Sequence, residues 1–426
     1  MDTTVLVVGG GATGVGVARD LAMRGVDVTL VERGGLGSGT SGRSHGLLHS
    51  GARYAEADPQ GARECIAENR IIRDIAPACV RDSGGLFVSL ESDDPAYYEA
   101  KRDACREHDI PVEELSPEAA RERVPDLADD AERVFEVPDG VVYPSRLVAA
   151  TGADAREHGA RIATGSPLLD FEVEGGRVVA AEVGGELDAR IEPEYVVNAA
   201  GAWAGECAAL AGLDVEMRPT QGVMVGVDYP RLGPVLNRCR DPDDGDIVIP
   251  HDDRVVLGTT SVAIDDPDEM VEDPDEVERT IRECAAMLPS VADVERLDTY
   301  WGVRPLYAPD EDSRGGERGI SRGFFLLDGS DGGAKGGSDA GNGGGPGTDD
   351  GVENFLSVVG GKLTTHRLMA EAATDRVCAA LGVDAKCRTA EEPLVAGNEA
   401  DAVDRLVAEF DAQGPADADV VGPADD

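Results

Sequence analysis

The chain has 426 residues, 41% of them hydrophobic, with 84 Asp plus Glu against 39 Lys plus Arg and a formal net charge of -45. That length and apolar content exclude global disorder and suggest two interleaved domains. The charge disfavours nucleic acid and other polyanions, which need a basic surface.

The acids are spread along the whole chain, and only four basic residues are lysine (Lys101, Lys335, Lys362 and Lys386). This is the composition expected of a halophilic acidic protein, whose surface repulsion is screened by concentrated salt. The eight cysteines are scattered and none forms C-x-x-C, so neither a metal site nor a redox pair is indicated, and most are expected as small buried hydrophobes. No run of about 18 apolar residues occurs, and no basic region with an apolar stretch opens the chain, so a cytoplasmic protein is expected.

In chain order, residues 3–8 read as a strand buried on both faces, followed by glycines and a helix with apolar positions Val15, Val17, Ala18, Leu21 and Ala22 that stops near Gly25. A second strand runs from Asp27 to Val31, and 35–53, rich in Gly, Ser and Arg, reads as a functional loop. Helices are expected at 60–78, 97–108, 117–123 and 145–158, strands at 86–90 and 161–163, and a hairpin at 171–183 turning at Gly175-Gly176. A buried strand at 195–201, several short strands in 215–262 and a helix at 274–288 follow. Residues 329–351 are a low-complexity Gly/Asp/Ser run expected to be a flexible surface insertion. A strand at 354–359, the segment Gly360-Gly361-Lys362, a helix to Leu381 and an acidic tail with a short helix at 402–410 complete the chain.

Gly9, Gly11 and Gly14 form G-x-G-x-x-G between the first strand and the first helix. The first allows the tight turn, the second lets phosphates approach the backbone, and the third lets helix pack on strand. Ala12 and Thr13 then present helix N-terminal amides to a pyrophosphate. Glu32, with Arg33 beside it, closes the second strand about 20 residues on, where an acid hydrogen-bonds a ribose hydroxyl. A dinucleotide is implied; NAD and FAD both remain open at this point.

The segment 37–54 reads Gly-Ser-Gly-Thr-Ser-Gly-Arg-Ser-His-Gly-Leu-Leu-His-Ser-Gly-Ala-Arg-Tyr. With Pro138-Asp139-Gly140, Val196 to Gly201, Asn237 to Arg240, Gly258 to Ser261, Gly302 to Leu306 and Gly360 to Leu363, it resembles the FAD-dependent glycerol-3-phosphate dehydrogenases. The resemblance is strongest to the catalytic polypeptide of the anaerobic, three-subunit enzyme, within the D-amino-acid-oxidase-like flavoproteins. It covers roughly residues 1–395.

It implies an α/β fold with a discontinuous Rossmann-like FAD-binding domain (1–80, 145–212 and 352–395). An inserted α+β substrate or cap domain (81–144 and 213–328) on a mixed or antiparallel sheet is also implied, with the insertion at 329–351 and an acidic tail at 396–426. FAD would be held by the glycine turn and by Thr40, Ser41, Ser44, His45, Leu47, Leu48, Ala200, Gly201, Gly361, Lys362, Leu363 and Thr364.

The same resemblance implies glycerol 3-phosphate as substrate. Arg304 and Arg322, with Arg53 and Tyr54, would grip the phosphate, since guanidinium forks bind two oxygens at once. The C2 hydroxyl proton would go to a base, His49 first and Lys362 second, while hydride passes from C2 to flavin N5. The helix after Gly361 would stabilise negative charge on the reduced ring. Partner subunits with iron–sulfur clusters would carry electrons to quinone, placing the protein at the inner face of a membrane.

Two departures stand out. Gln221-Gly222-Val223-Met224 replaces the Lys-Gly-Ser-His of homodimeric relatives, and His366 replaces a tyrosine. No cysteine-rich extension of the kind such relatives often carry precedes Asp426, which leaves a missing extension and a truncated form both open. The alternatives are a sister flavoenzyme oxidising an amino acid or 2-hydroxy acid, and a non-catalytic flavin-binding scaffold. Three candidate arginines favour phosphate over carboxylate, and retention of both marked segments argues against the scaffold.

Overall fold

The apolar first strand, Asp2–Val8, lies at the centre of a sheet because both its faces are covered. In this computed structural model, which describes residues 1–252, 254–307, 323–331, 351–418 and 420–421, it runs parallel to Val28–Val31 on one side and Ala189–Asn198 on the other. Arg161–Ala163 extends the parallel sheet beyond Val28–Val31, and Phe355–Gly360 extends it beyond Ala189–Asn198. Phe324–Asp328 is antiparallel at that edge. The hairpin of Leu168–Glu174 and Arg177–Val183 joins through the first half of Ala189–Asn198.

The two faces follow from the period of two along each strand. Val5 and Val7 face the helices Ala12–Met23, Pro144–Glu157 and His366–Leu381. Leu6 and Val8 face the hairpin and the short helix Ala204–Leu210. Helices 12–23 and 366–381 approach closely because Gly16 offers no side chain; a Cβ there would stand 2.9 Å from that of Ala370.

The second sheet is mixed, as expected. Its order is Val262–Ala263, Thr220–Val227, Val255–Gly258, Ile247–Pro250, Val235–Arg238, Gly85–Leu90, Ala131–Val137 and Glu113–Leu115, with Arg296–Arg304 also pairing with Thr220–Val227. Only Gly85–Leu90 and Val235–Arg238 run parallel within it. One face packs on helix Pro274–Ala285. A small sheet of Leu47–Leu48, Gly140–Val142 and Val80–Arg81 stands between the two large ones.

One expected boundary moves. Phe324–Asp328 pairs with the first sheet, so the cap domain ends before it rather than at 328. The acidic tail carries the short helix expected at 402–410, here Ala400–Glu409, which buries Val403 and Val407 and is gripped by Arg146 through two hydrogen bonds of 2.6 and 2.8 Å to Asp404. Apolar positions repeated along that helix outweigh its acidic composition. The insertion expected at 329–351 falls mostly outside the described residues, but its ends meet, with Val352 N–H donating to the Gly329 carbonyl at 2.9 Å. All eight cysteines are free thiols, seven of them buried and Cys387 partly so. Among the described residues no helix is long and apolar enough to cross a membrane.

Arg19, 2% exposed, ties the first helix to distant segments. It donates to Asp154 at 2.6 Å and to the carbonyls of Thr389 at 3.0 Å and Glu392 at 2.7 Å. Removing one partner of a buried ion pair leaves an uncompensated charge. Arg19→Ala is therefore expected to lower stability by about 3–5 kcal/mol, read by denaturant unfolding at high salt.

Candidate active site

The glycine turn has the geometry its spacing demands. Gly9 has φ +106°, and a Cβ on Gly14 would lie 1.9 Å from the Gly9 carbonyl oxygen, so helix and strand touch there backbone to backbone. A Cβ on Gly11 would meet only the Ser41 hydroxyl, at 3.2 Å, which leaves the backbone bare toward the cavity. Helix 12–23 starts with no acid in its first turn and no side-chain cap from Gly11, and Ala12 N–H donates to Ser41 Oγ at 3.0 Å. The Glu32 carboxylate accepts from Gly10 N–H at 2.7 Å and Gly34 N–H at 2.8 Å, which fixes it at the mouth of the turn. Arg33 stacks on Trp203 at 4.4 Å and pairs with Asp268 of the cap domain at 2.9 Å, holding that carboxyl below its usual range.

The 37–54 loop is held from several sides. Thr40 donates to the Val303 carbonyl at 2.8 Å, and the Ser44 carbonyl accepts from Tyr300 at 3.2 Å. His49 N–H donates to Thr364 Oγ1 at 3.1 Å, and the His49 carbonyl accepts from Asn69 Nδ2 at 3.2 Å. Ser50 N–H donates to Asp139 at 2.7 Å; burial pushes that carboxyl up while these bonds pull it down, the net direction being upward. Gly51 has φ +95°, and a Cβ there would stand 2.2 Å from the Ala62 carbonyl oxygen, so the turn admits only glycine. The His49 ring, with its Nε2 3.5 Å from the Tyr54 hydroxyl, lies 5.2 Å from the Tyr54 ring and 5.9 Å from the His45 ring.

The facing wall comes from the far end of the chain. Gly360 and Gly361 both have φ +79°, and a Cβ on Gly361 would stand 2.3 Å from Met369 Sδ. Lys362 is extended and leads through the turn Leu363–Thr365 into helix His366–Leu381. Its Nζ lies 4.4 Å above the Tyr54 ring and 3.6 Å from Asp58, whose other oxygen caps helix Pro59–Ile75 through Gly61 N–H. Arg304, at the end of its strand, donates to the Gln221 carbonyl at 3.3 Å, to Thr259 Oγ1 at 3.1 Å and to the Thr260 carbonyl at 2.9 Å. Between these walls lies a cavity of about 690 Å³ that runs from Glu32 and Arg33 past Thr13, Ser41 and His45 to His49, Tyr54, Arg304 and Lys362.

Residues 4–338 match the family model described as FAD dependent oxidoreductase. The chain belongs to this family. Within it, the chain is 48% identical over 404 residues to the A1 subunit of the anaerobic glycerol-3-phosphate dehydrogenase of Haloferax volcanii, an alignment covering 92% of this chain and 66% of that one. It is 41% identical over 400 residues to the corresponding polypeptide of the anaerobic glycerol-3-phosphate dehydrogenase of Escherichia coli K12, covering 93% and 70%. The chain thus spans about two thirds of the length of these curated relatives. The fold is similar to that of the glycerol-3-phosphate dehydrogenase of Bacillus halodurans, solved with FAD, with a TM-score of 0.68 at 24% identity over 96% of this chain and 71% of the other.

FAD is the cofactor of this flavoprotein family, and the residues present fit it. Bare backbone at Gly11, open helix amides and an acid at the far end of an elongated cavity match a pyrophosphate and a ribose. Gly9, Gly11, Ala12, Thr13, Glu32, Arg33, Thr40, Ser41, Ser44, His45, Leu47, Ala200, Gly201, Gly361, Lys362 and Leu363 all line the cavity.

Other residues expected at the site stand elsewhere. Gly14, Leu48 and Thr364 lie behind the wall: Gly14 packs on Gly9, Leu48 is fully buried with Ile72 and Leu147, and the Thr364 hydroxyl accepts from His49 N–H. Arg53 is also off the cavity wall, its guanidinium donating to Asn237 at 3.2 Å. Its position beside Tyr54 does not bring the two side chains to one face, because the turn Ala52–Tyr54 splays them. Arg322 lies outside the described residues.

Asn69, Asp139 and Asn237 are functional supports to which the sequence assigned no role. A lone Asn within a helix reads as solvent-facing, and Asn69 is 1% exposed. Pro138-Asp139-Gly140 and the segment from Asn237 to Arg240 are the local signals that marked the other two.

His366 lines the cavity with its Nδ1 2.9 Å from the Leu363 carbonyl, and burial pushes its imidazole down to about 4. The folded value lies below the ordinary one of 6.5, so the stability this group contributes is present above pH 6.5 and is lost as pH falls toward about 4. An NMR titration is expected to show His366 neutral at pH 6, with His366→Phe flattening the acid limb of the stability profile.

Proposed function

We propose that the chain oxidises sn-glycerol 3-phosphate to dihydroxyacetone phosphate. The reading is carried by one observation: cations of two kinds, Arg304 and Lys362, line the same cavity as His49 and the glycine turn. The names and identities of the anaerobic dehydrogenase relatives support the substrate assignment. FAD, when bound, supplies the acceptor for the hydride leaving C2.

The chain's own residues do the rest. Arg304 presents a fork held rigid by Gln221, Thr259 and Thr260, suited to a phosphate. Lys362, steadied by Asp58 and the Tyr54 ring, adds a second positive charge. The family resemblance assigns Arg322 the same role. His49 takes the C2 hydroxyl proton at Nε2, with its backbone locked by Thr364 and Asn69 and its ring beside the Tyr54 hydroxyl. Met224, in the strand where homodimeric relatives carry a histidine, offers no competing base.

Electrons then pass to partner subunits and, through iron–sulfur clusters, to quinone at the inner face of a membrane. The designation of the relatives as subunits supports partners of some kind. The acid-rich composition suits concentrated salt, and stability is expected to rise as KCl is raised toward molar levels.

The test is anaerobic mixing of the yellow protein with glycerol 3-phosphate at high salt, following the flavin band near about 450 nm. Rapid bleaching supports the proposal, whereas bleaching by an amino acid, or by no donor, overturns it. His49→Gln is expected to keep FAD and slow bleaching by about 10²–10⁴-fold; a rate near wild type removes histidine from the role. Arg304→Lys is expected to raise the half-saturating substrate concentration about tenfold or more, because the two-point grip on phosphate is lost.

A further inference from the structure

The cofactor loop has two faces. Ser38, Thr40, Ser41 and Ser44 line the cavity, whereas Gly35, Leu36 and Gly42 do not. These three meet the C-terminal segment instead. Leu36 N–H donates to the Phe410 carbonyl at 3.1 Å, and Ala416 N–H donates to the Gly42 carbonyl at 3.2 Å. A Cβ on Gly35 would stand 1.8 Å from the Asp411 carbonyl oxygen, and one on Gly414 would stand 2.5 Å from that of Gly42. The two backbones therefore pass with no room for a side chain between them.

The segment is anchored on both domains. Asp417, 0% exposed, accepts from Ser145 N–H at 2.9 Å and from Ser145 Oγ at 2.6 Å, and Ser145 Oγ in turn accepts from Gly414 N–H at 2.9 Å. Ser145 opens helix Pro144–Glu157 of the FAD-binding domain. From the cap domain, Arg254 donates to the carbonyls of Pro415 at 2.7 Å and Ala416 at 3.2 Å.

We infer that residues 410–417 form a strap that sets the cofactor loop from behind, making Ser145 and Asp417 positioning residues for FAD binding. The inference rests on the assignment of the cavity to FAD. A glycine-rich loop loses much conformational entropy when ordered, and a strap that orders it beforehand removes that cost from binding. The loop residues that the strap contacts (Gly35, Leu36 and Gly42) do not line the cavity, so the strap acts on the loop and not on the ligand.

The test titrates FAD into apo-protein at high salt, read by flavin fluorescence, beside the melting temperature. Ser145→Ala, Asp417→Ala and the wedge Gly414→Ala are expected to weaken FAD binding about tenfold or more. Asp417→Asn, which keeps an acceptor for Ser145 N–H, is expected to restore most of the affinity. Val291→Ala, deep in the cap core, is the control, expected to lower the melting temperature with FAD affinity within about twofold of wild type. Wild-type affinity in the folded strap variants, or equal weakening in the control, overturns the strap.

Hydrogen exchange on the unaltered chain gives a second reading that needs no variant. FAD is expected to slow exchange at the amides of Leu36 and Ala416 together, and protection of the loop without the strap overturns the proposal. A wild-type protein that binds no FAD overturns the cavity assignment instead.

Discussion

The segment between Glu32 and Gly51 crosses the interior with only the two-residue strand Leu47–Leu48 as regular structure, so its backbone polar groups must be satisfied by other parts of the chain. The rest of the site depends on how that is done. Glu32 and the Ser41–Ala12 bond tie its start to the glycine turn. Thr364, Asn69 and Asp139 tie its end to the C-terminal helix turn, to helix 59–75 and to the small central sheet. The strap closes the back. A loop held this way presents hydroxyls, amides and imidazoles on one face with little freedom, which is what a preorganised cofactor and substrate site requires.

A second constraint is the handling of charge. Arg19–Asp154, Arg24–Asp20, Arg238–Asp93 and Arg367–Glu68 are ion pairs whose side chains are all under 10% exposed. Arginine suits these places because its fork can satisfy two oxygens and adjoining carbonyls at once, as Arg19 does. Arg367–Glu68 joins the helix that follows Lys362 to the helix that follows Tyr54, so the two cavity walls that carry Lys362 and Tyr54 are braced by one buried pair. The acidic excess is carried by carboxylates elsewhere, where ions and water can screen it.

Much of the first domain was legible because its signals are local. A β-branched strand, three spaced glycines, a helical apolar stripe and a terminal acid occur in one stretch and form one unit. Cap-domain strands such as Ala131–Val137 and Arg296–Arg304 were not legible. Each mixes charged and apolar residues, and pairing with neighbours far along the chain decides their state. Arg53 shows the limit for side chains: its sequence neighbour Tyr54 lines the cavity, and it does not. In the acidic tail the short helix was legible, but its docking through Asp404 onto Arg146 was not.

By itself the sequence determined a dinucleotide-binding start, and by resemblance FAD, because those motifs place backbone conformation and chemistry within a few residues of one another. Tertiary structure alone decided which residues share a cavity. It brought Lys362 over Tyr54, set Thr364 and Asn69 against His49, and laid residues 410–417 under the cofactor loop. The reason is physical: contacts between segments hundreds of residues apart are selected by burial and hydrogen-bond satisfaction across the whole fold, and no local pattern encodes them.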